Sequence, residues 1–436
     1  GKKISAINSL VRNSILVMDE AHSAAGDSKL GKAFREFIRG TDGVLYLSAT
    51  YAKRPDNLPL YFKTDLGLVP QESGSLENAI GNGGIGMQSY VSNKLSEAGQ
   101  LIRRERSFEG ITIDNVIMPD ESGDIKNTYD DIAEILRAIQ DLSRLWKTYV
   151  KKFLAKKIQQ ESGRDTMVGG NQVDTKVNVT LFSSQVHNYI AQLSLGLKAK
   201  MTAKRAIESI KRGEKPVIAL ENTMGEALKT YINANPHLNG DLKSFTYKNI
   251  IGSIADNVLR YRVKDTGSRN SEEIRVPISM VESPSVIQAY DKVMELVDSL
   301  NHDLEASPID VMRNEIRKAG YKVAEITGRK IMVDYSSGAK VVPRPSEELY
   351  SRAVVDSFND GKIDALILNQ SGSTGLSIHA SEKFKDQRPR RMIVAQPSLD
   401  VNIFMQMLGR INRTGQVEKP MFDVVWLDLP SEIRPR

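Results

Sequence analysis

The stretch Gln406-Met407-Leu408-Gly409-Arg410-Ile411-Asn412-Arg413 lies near the end of the 436-residue chain and predicts the last part of a helix. Gln406, Arg410 and Arg413 are spaced i, i+4 and i+7, so a helix would carry all three side chains on one face. Gly409 between them would let a ligand approach the backbone. Two guanidiniums and a carboxamide on one face suit the anionic oxygens of a polyphosphate. Taken alone, the octet is explained equally well by a solvated basic helix face.

A second motif lies near the start of the chain, where the apolar run Ile15 to Met18 is followed by Asp19 and Glu20. Such a run predicts a buried parallel strand whose carboxyl end carries both acids, the edge at which open α/β sheets bind ligands. Asp19 is placed to hold Mg²⁺, and Glu20 to orient and deprotonate an attacking water. His22 would link this strand end to a neighbouring element. The alternative is a strand-to-loop junction with solvated acids.

A second short strand is predicted at Gly43 to Leu47, and it ends in Ser48-Ala49-Thr50. The hydroxyls of Ser48 and Thr50 could bridge to His22 or to a carboxylate, and so couple a bound nucleotide to the next domain. Capping of the following segment is the alternative for these small polar residues.

Composition excludes several classes of protein. The chain holds 40% hydrophobic and 26% charged residues, as ordinary soluble globular proteins do. Its net charge of +6 is compatible with a polyanionic partner. It has no cysteine, which excludes disulfides and thiolate chemistry. No apolar run is long enough to span a bilayer, so no membrane partner is expected. We expect a cytoplasmic location, or a nuclear one in a eukaryote.

The order of elements predicts an α/β protein in three parts. We expect an α/β unit over 1–115, a mostly helical module over 116–212, and a second α/β unit over 213–436 with an insertion at about 236–285. Strands alternate with helices over the last 200 residues or so, a pattern typical of a parallel, doubly wound sheet. The last helix of that pattern is predicted at Val401 to Ile411.

Small residues follow the predicted strands of the second unit. Ser371 to Ser377 offers small side chains and free amides at a strand-to-helix turn, which suits backbone contact with phosphate. A flexible Gly/Ser turn is the alternative. Thr223 and Thr327 likewise come just after predicted strands.

Four motifs in sequence order resemble motifs II, III, V and VI of superfamily-two helicases: Asp-Glu-Ala-His at 19–22, Ser-Ala-Thr at 48–50, Ser-Thr-Gly-Leu at 373–376 and Gln-x-x-Gly-Arg-x-x-Arg at 406–413. The segments 323–329, 373–380 and 387–391 are similar, more specifically, to the strawberry-notch family. This resemblance covers about 1–60 and 320–420. It implies two RecA-like parallel-sheet lobes, the first truncated at its N-terminus, with the helical module between them.

The resemblance also implies roles for individual residues. Asp19 is expected to bind Mg²⁺, Glu20 to activate water, and Arg410 and Arg413 to act as arginine fingers on ATP. The implied nucleotide-binding residues are Asp19, His22, Gln406, Gly375 and Gly409, and the implied coupling residues are Ser48 and Thr50. The residues expected to bind nucleic acid are Thr223, Thr327, Arg329, Ser373 and Thr374.

One departure from the family pattern concerns the nucleotide loop. The chain contains no Gly-x-x-x-x-Gly-Lys-Ser/Thr, and only 18 residues precede Asp19. We therefore expect an upstream part of the same protein to carry that Walker A loop, and the 436 residues alone to lack appreciable ATPase activity.

The function that the resemblance implies is that of an ATP-dependent helicase or translocase on DNA, with RNA possible, which hydrolyses ATP between two lobes. Two alternatives stay open. One is a non-catalytic scaffold that binds nucleic acid or protein and retains a relic fold. The other is an antirestriction or defence translocase that moves on double-stranded DNA without separating its strands.

Overall fold

The computed structural model describes residue 7 and the ranges 10–24, 29–48, 55–68, 75–102, 109–154, 177–179, 182–221, 223, 225–234, 246–264, 271–302, 304–336, 338–369 and 375–433. The chain divides into two compact units, Gly1–Glu109 and Gly110–Arg436. Both are built from helices and parallel strands, which confirms the predicted α/β class. Within the described ranges, no helix combines the length and the apolar character needed to cross a membrane.

The first unit contains a β-α-β element. Strand β1 (Ile15–Met18) pairs in parallel with β2 (Gly43–Tyr46), from Ile15 opposite Gly43 to Met18 opposite Tyr46. Helix α1 (Lys29–Arg39) makes the crossover, as parallel strands require. Helix α2 (Ser75–Glu97) follows and bends at Gly84, where φ is +54°. Short 3₁₀ segments lie at Ala21–Ala24, Pro55–Tyr61 and Asp65–Leu68.

The two strands of this unit alternate between a covered face and an open face. Leu16, Met18, Val44 and Tyr46 pack into the core of the unit. On the other face, Ile15, Val17 and Leu45 are 73%, 57% and 52% exposed. The prediction of a buried strand at Ile15 to Met18 is therefore wrong for one face. A parallel sheet is normally covered on both faces, and this one is covered on one.

A six-stranded parallel sheet forms the centre of the second unit. Its strands are β3 (Thr112–Met118), β5 (Lys215–Leu220), β8 (Val323–Ile326), β11 (Ala365–Asn369), β12 (Arg390–Val394) and β13 (Met421–Leu427). They lie in the order β3-β13-β12-β5-β11-β8. Every residue of β5, β8 and β11 is buried, as expected for strands with both faces covered. A parallel sheet of this kind is what the α/β pattern of the sequence predicts for this part of the chain.

Helices and two small antiparallel sheets surround that sheet. The small sheets are β4 (Val177–Asn178) with β6 (Arg260–Lys264) and β7 (Ser271–Arg275), and β9 (Ile331–Asp334) with β10 (Lys340–Pro343). The helices are α3 (Asp124–Tyr149), α4 (Ser183–Lys211), α5 (Gly225–Ala234), α6 (Tyr247–Val258), α7 (Pro284–Ser299), α8 (Pro308–Lys318), α9 (Ser351–Asn359), α10 (Val401–Leu408) and α11 (Pro430–Ile433).

The predicted helical module over 116–212 is not a separate body. Its first strand, β3, is an edge strand of the main sheet, and α4 packs on β5, β12, β13 and α8. Helix α3 packs on α6 and α7, and Trp146 Nε1 donates to Arg260 O at 2.9 Å. The region predicted as an insertion at about 236–285 therefore shares a core with the helical module. The unit boundary lies at 109/110 instead of 115/116.

Candidate functional site

The acid pair of the first unit lies at the carboxyl end of β1. Leu47 N donates to Met18 O at 2.8 Å, and Ala21 N donates to Leu47 O at 3.0 Å. These two bonds hold the segment after β1 against the segment after β2. As a result, Asp19 and Glu20 are neighbours of Ser48, which is the juxtaposition that the two motifs predict.

The backbone at this strand end is strained. Glu20 has φ of +50°, in the left-handed region that non-glycine residues rarely adopt. Its N–H donates to Asp19 Oδ1 at 3.0 Å, which fixes the Asp19 carboxylate against the backbone of Glu20. Strain of this kind is concentrated at functional sites, because the surrounding structure must maintain it. Asp19 is exposed, so its carboxylate is open to ligands from solvent.

Three of the predicted site residues, Thr50, Ser373 and Thr374, lie outside the described residues. A fourth, His22, is described only in its backbone, which lies in the 3₁₀ segment Ala21–Ala24 directly after the acid pair. The roles predicted for these four residues stay predictions.

The arginine octet of the second unit is only partly helical. Helix α10 ends at Leu408, and the next bonds run from Arg410 N to Met407 O and from Ile411 N to Leu408 O, a tighter turn. The predicted helix to Ile411 is therefore wrong, and Gln406, Arg410 and Arg413 do not share one helical face. Gly409 and the following Asn412 have low helix propensity, which explains the early end.

The arginines instead lie in a segment that is bonded to the Gly-containing turn after β11. Ile378 N donates to Arg410 O at 3.3 Å, and Arg413 Nη2 donates to Leu376 O at 3.2 Å. Val417 N donates to Ala380 O at 2.7 Å. The segments 376–380 and 410–417 thus run side by side, so two motifs far apart in sequence form one surface. Arg410 is buried here, and Gln406 is half-buried in the last turn of α10.

Two polar residues that the motifs did not single out support this pairing. Gln416 Oε1 accepts from Arg413 N at 3.0 Å, and Asn359 Nδ2 donates to Ser377 O at 3.3 Å. The glycine at position 375 has φ of +77°, a conformation that favours glycine. No spacing rule would have found Asn359, because it comes from the end of α9.

The other predicted nucleic-acid-binding residues lie at the carboxyl ends of neighbouring strands. Thr223 follows β5 and Thr327 follows β8, on either side of β11, whose end leads towards Gly375. Thr223 Oγ1 accepts from Gly225 N at 3.5 Å, at the start of α5, and Thr327 Oγ1 donates to Glu325. Thr223 and Thr327 therefore share the sheet edge at which α/β proteins bind ligands.

The prediction that Arg329 binds nucleic acid is wrong, because its side chain is buried in the protein. Its guanidinium donates to Asp310 at 2.6 and 2.8 Å and to Glu325 at 2.6 Å through both Nε and Nη2. Arg329 is 5% exposed. A guanidinium with these donors engaged by carboxylates inside the fold is not available to a nucleic-acid phosphate. The sequence predicts a cation at the end of a strand that is open to phosphate. In the folded chain, Glu325 and Asp310 bind this cation instead.

The partners of Arg329 belong to a larger buried ion network, which we call the arginine network. Its members are Asp310, Arg313, Glu325, Arg329, Arg344 and Glu348. Three buried guanidiniums face three carboxylates, and the exposed Arg317 adds a fourth guanidinium 3.7 Å from Glu348. Burial opposes ionisation of Glu325, but the charges of Arg329 and Arg344 prevail and lower its pKa to about 2. The network holds α8, β8 and the segment 344–348 together.

Comparison with known proteins finds similar proteins in several organisms. Residues 311–435 match the family model described as the C-terminal domain on Strawberry notch homologue. Protein strawberry notch homolog 1 of Rattus norvegicus is 23% identical over 508 residues, which covers 96% of this chain and 38% of that protein. The chain is therefore similar to the strawberry notch proteins, and its residues 311–435 are similar to their C-terminal domain. Protein FORGETTER 1 of Arabidopsis thaliana is 26% identical over 157 residues, covering 34% of this chain and 12% of that protein.

The chain thus spans about two fifths of the rat strawberry notch protein. The family match contains the paired segments 376–380 and 410–417, together with most of the arginine network. The acid pair at Asp19 and Glu20 lies outside that match, whereas the longer rat alignment covers 96% of the chain. Among solved structures, the Hef helicase domain of Pyrococcus furiosus covers 99% of this chain and 76% of that chain, with 14% identity and a TM-score of 0.32.

Proposed function

We propose that the chain is part of an ATP-dependent nucleic-acid motor that moves on DNA, with RNA as the second candidate. In the longer protein, Asp19 would hold Mg²⁺ and Glu20 would activate the water that attacks the γ-phosphate. Arg410 and Arg413 would stabilise the charge that develops on the transferred phosphoryl group. Because the chain spans 38% of the rat relative, the activity is proposed for the longer protein.

The observation that carries this proposal is the pairing of the segments 376–380 and 410–417. Arg413 Nη2 is bonded to Leu376 O, and Arg410 O accepts from Ile378 N. A shift of the arginines on hydrolysis would therefore displace the turn after β11, next to the strand ends that carry Thr223 and Thr327. The arginines that would bind the phosphates of ATP are thus connected to the strand ends that would bind nucleic acid. A motor needs such a connection, because ATP and nucleic acid must both act on one element that has two conformations.

The residues at the end of β1 fit the chemistry of Mg²⁺. This ion is held in nucleotide enzymes by one or two carboxylates, water and the substrate phosphates. Asp19 is exposed and uses its Oδ1 for Glu20 N, and no described donor is bonded to its Oδ2. When bound, Mg²⁺ would neutralise phosphate charge; Glu20, held beside it, would orient the water and accept its proton.

The test uses the longer protein with Arg413→Ala and Arg413→Lys. Loss of an arginine finger should lower steady-state ATP hydrolysis by about 10³-fold, and lysine should recover little of it because it lacks the planar fork. DNA binding, measured by fluorescence anisotropy, should stay within about twofold if phosphates of DNA are bound elsewhere. Arg352→Ala, at an exposed arginine of α9, is the matched control. Unchanged hydrolysis in Arg413→Ala would contradict the assignment.

A helicase and a translocase can be distinguished by the strand that the protein displaces. A helicase separates a duplex, whereas a translocase removes a third strand without opening the duplex. Both assays on the longer protein, each with Glu20→Gln as the inactive control, distinguish the two. A protein that binds DNA and shows neither activity nor hydrolysis would be the relic scaffold, and the motor proposal would be overturned.

We also propose that the upstream part of the same protein, which would carry the nucleotide loop, covers the open face of β1 and β2. Ile15, Val17 and Leu45 form an apolar face on a parallel pair, and parallel sheets are stable with both faces covered. Val17→Asp should leave the stability of the 436 residues within about 0.5 kcal/mol, because the side chain is exposed. The same change should weaken binding of the separately expressed upstream polypeptide at least tenfold. Leu30→Asp, on an exposed position of α1, is the control.

A further inference from the structure

Helix α10, which leads into the arginine octet, packs on the second unit mainly through its last turn. Of its eight residues, only Met407 and Leu408 are buried. Val401 is 70% exposed and Met405 is 40% exposed. An element that buries few apolar side chains is among the parts of a protein that move most easily. The position of α10 therefore depends on the bonds at its two ends.

The amino-terminal end of α10 is attached to strand β5 by a chain of hydrogen bonds. Asp400 caps the helix, since its Oδ1 accepts from Asn402 N at 2.9 Å. Asp400 N donates to Ser398 Oγ at 3.3 Å, and Ser398 Oγ donates to Glu221 Oε1 at 3.2 Å. Glu221 is the first residue after β5. We call this chain of Glu221, Ser398 and Asp400 the Ser398 link.

The backbone of Glu221 is held by the same segment. Glu221 N donates to Gln396 Oε1 at 3.2 Å, and Gln396 Nε2 donates to Ala191 O of α4 at 3.1 Å. Gln396 is 6% exposed and Ser398 is 9% exposed, so packing fixes both partners of Glu221. Because the segment after β12 binds both the N–H and the carboxylate of Glu221, a displacement of that segment is passed on to the end of β5.

Ordinary helix capping explains only part of the Ser398 link. The bond from Asp400 N to Ser398 Oγ spans two residues and is a common local turn. The bond from Ser398 to Glu221 joins residues 177 positions apart, and a cap does not need it. Among the residues that the structure describes, no lysine or arginine is paired with Glu221. The hydroxyl of Ser398 therefore orients this carboxylate, and it turns the charge towards β12 and away from β11 and β8.

The other end of α10 is attached to the turn after β11, where Ile378 N donates to Arg410 O at 3.3 Å. Strands β5 and β11 are neighbours in the sheet. Helix α10 thus connects two adjacent strand ends, and the β5 attachment lies two residues before Thr223. A displacement of the arginines that moves α10 must either move Glu221 as well or break the Ser398 link.

We infer that Ser398 and Glu221 are positioning residues that couple ATP binding at the arginines to the binding of single-stranded DNA at Thr223. The inference rests on the proposed function, since it names a means by which the two ligands of the motor affect each other. Neither side chain needs to touch a ligand. ATP would fix α10 through the arginines, and the Ser398 link would hold the end of β5 in the position that binds a phosphate of DNA. Such coupling is reciprocal, so DNA would strengthen ATP binding by the same factor.

The experiment measures binding of a fluorescein-labelled 20-nucleotide oligo-dT to the longer protein by fluorescence anisotropy, with and without a non-hydrolysable ATP analogue and Mg²⁺. The ratio of the two dissociation constants is the coupling factor, which is typically about 5 to 150 between linked sites. Ser398→Ala should lower this factor about fivefold, the effect of one hydrogen bond of ordinary strength. Ser398→Thr keeps the hydroxyl and should restore the factor. A change that only perturbs the structure would alter both dissociation constants alike and leave their ratio unchanged.

A double-mutant cycle and a matched control sharpen the test. Glu221→Ala should lower the coupling factor as much as Ser398→Ala does, and the double variant should lower it no further, because both changes remove the same bond. Ser346 Oγ donates to Glu347 Oε2 at 3.3 Å on the surface of the same unit. Ser346→Ala removes this similar serine–glutamate bond and should leave the coupling factor unchanged.

An unchanged coupling factor in Ser398→Ala would overturn the inference, and so would effects of Ser398→Ala and Glu221→Ala that multiply. Steady-state hydrolysis by the unchanged longer protein decides the motor proposal separately. A protein that hydrolyses ATP but keeps its coupling factor in Ser398→Ala refutes the inference alone, whereas a protein that does not hydrolyse ATP refutes both.

Discussion

Replacing Glu325 by glutamine tests how the second unit is held together. Glu325 is fully buried, accepts two bonds from Arg329 at 2.6 Å and one from Arg313 at 3.2 Å. Glu325→Gln keeps the shape and removes the charge, so three guanidiniums would face the two remaining carboxylates of Asp310 and Glu348. Leaving one buried charge unpaired typically costs about 3–5 kcal/mol.

The pKa of Glu325 gives a second value for the stability that its charge contributes. Burial opposes ionisation and the neighbouring arginines favour it, with the result that the pKa falls from its ordinary 4.5 to about 2. A depressed pKa contributes stability above the unfolded value, and that stability is lost as pH falls from about 4.5 to about 2. The shift corresponds to about 3 kcal/mol at about 1.36 kcal/mol per unit. The two routes agree in order of magnitude.

The assay is urea unfolding followed by tryptophan fluorescence. Both tryptophans, Trp146 and Trp426, lie in the second unit, so the signal reports that unit. Glu325→Gln should lower the free energy of unfolding at pH 7 by about 3–5 kcal/mol, and the difference from the unchanged chain should shrink below about pH 4. Glu347→Gln, at an exposed neighbour, should change it by less than about 0.5 kcal/mol. If the free energy of unfolding of Glu325→Gln is within about 1 kcal/mol of that of the unchanged chain, the change behaves like a surface substitution and this reasoning is refuted.

Three further changes have definite expected results. Lys198 donates to Val425 O at 3.0 Å and to Glu432 at 2.7 Å. Lys198→Met should therefore lower the free energy of unfolding of the second unit by about 3 kcal/mol in urea, because it leaves the charge of Glu432 unpaired. Adding Glu432→Gln should recover part of that lost stability. Glu20→Gly should stabilise the first unit by about 1 kcal/mol in thermal unfolding by circular dichroism, because glycine tolerates φ of +50°; a decrease in stability would show that the strain is absent. Asp400 Oδ1 accepts from Asn402 N at 2.9 Å as the cap of α10, so Asp400→Ala should cost about 1 kcal/mol and Asp400→Asn much less, again by urea unfolding; equal costs would argue against a capping role.

The sheet of the second unit could be predicted from short apolar runs. The runs at Pro216 to Leu220, Asp364 to Leu368 and Phe422 to Leu427 correspond to β5, β11 and β13, with boundaries shifted by at most one residue. Strands buried on both faces have such runs because no position along them is exposed to water. Edge strand β3 has Asp and Asn among its apolar residues, and its place in the sheet could not be predicted from that pattern.

The contacts of the candidate site could not all be predicted from the local sequence pattern. The pairing of Arg413 with Leu376 joins residues 37 positions apart, and no period along the chain encodes it. The burial of Arg329 depends on Asp310, a residue of helix α8. By contrast, local pattern is enough to place the segments after β1 and β2 next to each other, because parallel strands joined by one helix present their carboxyl ends side by side.

The central proposal is that Glu20 and Arg413 serve the same ATP hydrolysis reaction in the longer protein. A double-mutant cycle on steady-state hydrolysis measures this directly, because groups that act as one unit give rate effects that do not multiply. Glu20→Gln and Arg413→Ala should each lower the rate by about 10³-fold or more, and the double variant should be no slower than the slower single one. Rate effects that multiply would show that the two residues act independently and would contradict the account.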